Sequence, residues 1–88
     1  MAKINMQTEQ SNSIFKSQDI SFVAAVLASK KAQLVGSQRV SSYRFEFHLS
    51  PLEICKELYS QYINGRLFLS AKDIADNVRL LKSLTKGT

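Results

Sequence analysis

Several residue types are scarce in this 88-residue chain, and each scarcity removes a class of protein. It has one cysteine, one histidine, one proline, three glycines and no tryptophan. A lone cysteine cannot close an internal disulfide or build a cysteine-ligated zinc site, so a stapled secreted miniprotein is excluded. A lone histidine, His48, leaves no imidazole cluster for a metal and no second imidazole for a proton relay. Gly36, Gly65 and Gly87 stand apart, so no glycine-rich loop can cradle a phosphate. The longest largely apolar run, Ile20 to Ala28, is too short to cross a bilayer. The opening MAKINMQTEQSNS is polar and has no apolar segment of the signal-peptide kind. A cytoplasmic protein without a membrane partner is therefore expected.

No catalytic constellation emerges either. Asp19, Glu53, Glu57, Asp73 and Asp76 are scattered at positions suited to helix caps and surface ion pairs. Cys55 falls on the apolar stripe of a helix, where a thiol is a small core residue. His48 and Glu46 are two apart on one strand and make neighbours, with no nucleophile beside them. The expectation is a non-enzymatic protein with no cofactor and no metal.

What the chain does have is positive charge and an ordinary apolar share. Twelve Lys and Arg against seven Asp and Glu give a net charge of +5, and 44% of residues are apolar. Such a balance favours a polyanion or an acidic protein as partner. The apolar share suits one small globular domain. Residues 1–12 carry few large apolar groups and read as a flexible tail ahead of a single domain over 13–88.

Along that domain the pattern predicts the order β-α-β-β-α-β-α, an α+β fold with a small antiparallel sheet, matching the ferredoxin-like order in its first six elements. The first strand is Ser13–Lys16. Ser17 is the expected cap of a helix from Gln18 to Lys30, with Asp19 in its first turn. Ile20, Val23, Ala24 and Leu27 form its inward stripe, which Phe22 and Val26 widen. The remaining face, Ser21, Ala25, Ala28 and Ser29, is small rather than charged, so another helix or a second protomer should cover it. A strand over Ala32–Val40 follows, with Gly36 as a bulge, and then a turn near Ser41. Ser50-Pro51-Leu52-Glu53 reads as a helix start with serine as cap. The second helix buries Ile54, Cys55, Leu58 and Tyr62 and stops at Asn64-Gly65. Arg66–Leu69 is expected as the fourth strand. Ser70 and Asp73 open a third helix that buries Ile74, Val78 and Leu81 and ends near Thr85.

The stretch SYRFEFHL, residues 42–49, decides how the sheet faces. Its spaced aromatics occupy the strand on which an RNA-recognition module stacks bases. In that module the alternate positions are small or apolar and enter the core. Here they are Arg44, Glu46 and His48. Turning these inward would bury unpaired charge at several kcal/mol, whereas turning the aromatics inward gains roughly 1.5–3 kcal/mol for each buried ring. The aromatics are expected in the core and Arg44, Glu46 and His48 on the outer face. Phe68, between Leu67 and Leu69, should point away from them, where it could stack on single-stranded nucleic acid; packing under the third helix or the tail is the favoured expectation.

Phe15-x-Ser17-x-Asp19-Ile20, the alanine-rich helix, Phe45-x-Phe47, Tyr62-x-x-Gly65-x-Leu67-x-Leu69 and the basic last helix together carry a resemblance. The chain resembles, over roughly residues 14–83, a family of small bacterial domains of unknown function. Those domains have an F-x-T-x-D-L start and an aromatic-x-N-G turn before the last strand and helix. Ser17 stands where the family usually has threonine, and Tyr62 where it often has tryptophan. The resemblance implies an α+β fold and no established activity or site residues.

The functional lead is the third helix. Lys72, Arg79, Lys82 and Lys86 fall within roughly 80° of one another and could follow a phosphate backbone. Arg44 on the outer sheet face is expected to assist, with Lys30, Lys31 and Arg39 as possible additions. The leading expectation is a nucleic-acid-binding module. The alternative is a protein-interaction or homodimer module using helix one or Leu80 and Leu84.

Overall fold

The computed structural model describes residues 13–86; the expected tail, residues 1–12, lies outside them. The chain folds as an α+β domain in the order β1 (Phe15–Ser17), α1 (Ile20–Ser29), β2 (Gln33–Ser41), β3 (Arg44–Ser50), α2 (Leu52–Ile63), α3 (Ala71–Lys86). The three strands form one antiparallel sheet in the order β1-β3-β2. The outer strands β1 and β2 run the same way, with β3 inserted between them, so β1-α1-β2 is a split β-α-β unit.

The expected fourth strand is absent among the described residues. Residues 66–70 are an extended link without ladder hydrogen bonds. Leu67 and Leu69 still turn inward and are partly buried, but no sheet edge receives their backbone. Alternation records which side chains are buried; a strand also needs a neighbour. Phe68 points away as expected, yet it does not pack: it is 87% exposed.

α1 begins two residues later than expected, and its cap moves from Ser17 to Asp19. Asp19 is the N-cap, its Oδ1 accepting from the backbone N–H of Ser21 (3.0 Å) and Phe22 (3.3 Å). Ser17 instead accepts from the Asp19 N–H through its hydroxyl at 3.1 Å, holding the capping residue in place. At the other end Lys30 adopts a left-handed conformation (φ 63°) and donates its N–H to the Leu27 carbonyl at 3.1 Å.

α1 lies at the centre of the domain. Phe22, Val23, Ala24, Ala25, Val26 and Ala28 are all buried, because the sheet and α2 lie on one side and α3 packs along the other. A second protomer is thus not what covers helix one, and the homodimer route through it is removed. The core joins these residues to Phe47 and Leu49 of β3, Cys55 and Leu58 of α2 and Leu81 of α3. Phe22 is also the hub of a ring cluster, 5.6 Å from Phe15 and 5.2 Å from both Tyr59 and Tyr62.

α2 departs from its expected start. Ser50 is held in the ladder opposite Gln33 and cannot turn back to cap, so Pro51 occupies the N-cap position without a side-chain hydrogen bond. The Ser50–Pro51 peptide is cis, and the Leu52 N–H donates to the Ser13 carbonyl instead. Ile54, expected inside, is exposed; Cys55 and Leu58 alone are fully buried. Gly65 (φ +69°) closes the helix, as its sequence suggested. α3 starts as expected, with the Ser70 hydroxyl accepting from the Asp73 N–H at 3.2 Å.

Among the described residues no helix is long and apolar enough to cross a membrane.

Candidate nucleic-acid interface

Strand length determines what is left open. β1 has three residues and pairs only with Phe47–Leu49 of β3, while β2 runs nine residues and pairs with β3 along its whole length. Beyond Ser17 the chain turns away to α1. The far half of the β2–β3 hairpin therefore continues as a two-stranded arm, and Ser37–Arg44 are exposed throughout.

The arm has a defined shape. Val35 and Val40 are extra residues in the ladder, at register shifts between Leu34 and Gly36 and between Arg39 and Ser41. Ser42 and Tyr43 form the tip, and neither has a positive φ, so the turn is not of the primed type that matches strand twist. The bulge at Val40 sits where the mismatch must be absorbed. Arg39 ties the tip down: its guanidinium donates to the Ser42 carbonyl at 3.0 Å and lies 4.9 Å from the centre of the Phe45 ring.

Phe47 is buried and Phe45 partly buried, its ring stacked 6.5 Å from that of Phe47. Tyr43, expected among the core aromatics, is 96% exposed, because it belongs to the turn and not to the strand. The outer face carries Arg44, Glu46 and His48 as expected. His48 Nε2 lies 3.1 Å from Glu46 Oε1, and Lys16 stands opposite His48 in the ladder.

Where β1 stops, the arm and the helices enclose a concavity of about 190 Å³. Tyr43, Arg44 and Phe45 form one wall, Gln18 and Ile20 another, and Thr85 from the last turn of α3 closes it. Arg44 donates to the Gln18 side-chain carbonyl at 3.5 Å. The volume is below the roughly 300 Å³ at which pockets for drug-sized ligands begin.

The expected site residues divide into two groups. Arg44 is brought beside the end of α3, and Lys82 lies one turn before Thr85, whose hydroxyl donates to the Lys82 carbonyl at 3.0 Å. Lys86 is the last residue of α3, and its side chain lies outside the described residues. Lys72 and Arg79 are occupied differently. Lys72 Nζ is 2.8 Å from Asp76, and Arg79 bonds the other oxygen of the same carboxylate. The Lys72 hydrogen bond holds the Asp76 carboxyl below its usual range, and the same bond raises Lys72. These two cations are largely spoken for by their own helix.

Lys30 and Lys31 do not join the Arg44 group. They line a second concavity, of about 280 Å³, with Gln33, Ser50 and Pro51 at the opposite end of β3. About 20 Å of strand separates the two ends. Arg39 does join it, through Phe45. Cys55 is buried, which pushes its thiol up and away from nucleophile chemistry. Among the described residues no three of His, Cys, Asp and Glu gather as metal ligands would.

Gln18 and Thr85 were not singled out from the sequence, and Tyr43 was assigned to the core. The signal was available in the strand lengths: a short first strand beside two long ones leaves the far ends of the long ones uncovered. No family model, curated protein or solved structure matches the chain.

Proposed function

We propose that the protein is a nucleic-acid-binding module that acts through the far end of the β2–β3 arm and the last turns of α3. The carrying observation is the convergence there of Arg39, Arg44 and an aromatic pair, one ring exposed, beside the α3 turn that bears Lys82. Phosphate neutralisation by such cations gives affinity that falls steeply with salt. Lys72 and Arg79 contribute less, because Asp76 already balances them. The net charge of +5 favours the same class of partner.

The test is fluorescence anisotropy with a labelled oligonucleotide over a range of salt. Changing Arg44 and Lys82 together to glutamine should weaken binding and make the slope of log K against log salt shallower by about 1–2. Absence of binding at low salt, or an unchanged slope in the double variant, would sink the reading.

A second reading rests on Leu80 and Leu84, half-exposed and one turn apart on α3. They suit a protein partner or a second copy of the chain. Sedimentation at high concentration separates the two readings, since the dimer version requires a mass twice that of the monomer.

A further inference from the structure

We propose that the concavity beside Tyr43 takes one unpaired base of a single-stranded nucleic acid, stacked on the Tyr43 ring, with Arg44 on a neighbouring phosphate. This rests on the nucleic-acid reading and specifies its ligand.

Three observations carry it. Tyr43 is 96% exposed at the tip of an arm that is braced by the Arg39 contacts to Ser42 and Phe45. An aromatic ring gains nothing for the fold in that position, and it offers a π-face at low entropic cost. The cavity beside it, about 190 Å³, is flanked by Phe45, an apolar second surface for a flat ring. Its polar lining supplies donors from two facing walls: the Arg44 guanidinium and the Gln18 amide, whose carbonyl already faces Arg44. A duplex keeps its bases stacked on one another and its phosphates outermost, so only an unpaired base can reach the notch. Stacking tolerates any base, so affinity for single strands without strong sequence preference follows.

The probe is a labelled single-stranded oligothymidylate against a duplex of equal length, each titrated with the full chain. The single strand should bind more tightly. Tyr43→Ala should weaken single-strand binding roughly 5- to 100-fold with the salt slope unchanged. Tyr43→Phe should retain most of the affinity, and Phe68→Ala should change nothing. The base-in-notch assignment is overturned if the duplex binds as tightly as the single strand while the salt slope persists. It is also overturned if Tyr43→Ala is silent, or if the loss follows Phe68→Ala instead. No salt-dependent binding to either probe removes the parent reading along with it.

Discussion

The two ends of β3 carry similar residues into opposite circumstances. At the Leu49 end, Phe15, Phe22, Tyr59 and Tyr62 close around the strand, which has neighbours on both sides and helices above it. At the Arg44 end, Phe45 and Tyr43 have one neighbouring strand and a guanidinium for cover. On the hairpin an aromatic is fully buried where β1 reaches and partly buried or exposed where it does not. Position along the strand, more than residue type, separates the covered end from the open one.

Core truncations test that division most strongly. Phe47→Ala, at the covered end, should cost about 3–5 kcal/mol and leave the domain barely folded in a urea titration. Phe45→Ala, two residues away on the same face, should cost only about 1–2 kcal/mol, since its ring is half-buried and its guanidinium contact partly wet. Equal losses at the two positions would break the comparison. Asp19→Ala should cost about 1 kcal/mol by removing the cap of α1, while Ser50→Ala should be nearly silent, because Ser50 caps nothing. Lys30→Gly should stabilise by about 0.5–1 kcal/mol, since glycine accepts the left-handed conformation that lysine now holds.

The smallest effect concerns Asp76. Its carboxyl lies below the ordinary range when folded, so its contribution is present above the unfolded carboxylate value and is lost as pH falls through the folded one. Asp76→Asn should lower the melting temperature slightly at neutral pH, and the gap from the parent should close in acid. The same variant releases Lys72 and Arg79. With the site at the far end of the arm, oligonucleotide affinity should hardly change; a large gain would move the interface onto the middle of α3.

Helix faces were the most legible part of the sequence. Val23, Ala24, Cys55, Leu58, Ile74, Val78 and Leu81 turn inward as their spacing predicts, and the bulge falls at Val35, beside the Gly36 that signalled it. Errors arose where one signal has two structural meanings. Ser50 has the chemistry of a cap but is claimed by the ladder, and Leu67-Phe68-Leu69 alternates like a strand with no edge to join. Tyr43 keeps step with Phe45 and Phe47 in sequence but lies beyond the last paired residue. The candidate site was half legible for the same reason. Its charges stand out in composition, whereas the notch exists only because two strands overrun a third.

The sheet order leaves β2 as a nine-residue outer edge, the feature by which sheets of separate molecules zip together. The bulges at Val35 and Val40 interrupt it, and only Gly36–Arg39 keep a regular ladder between them. Bulges of this kind are a device by which natural sheets blunt an open edge. The kinks that shape the arm thus also shorten the stretch of regular ladder that its outer edge presents.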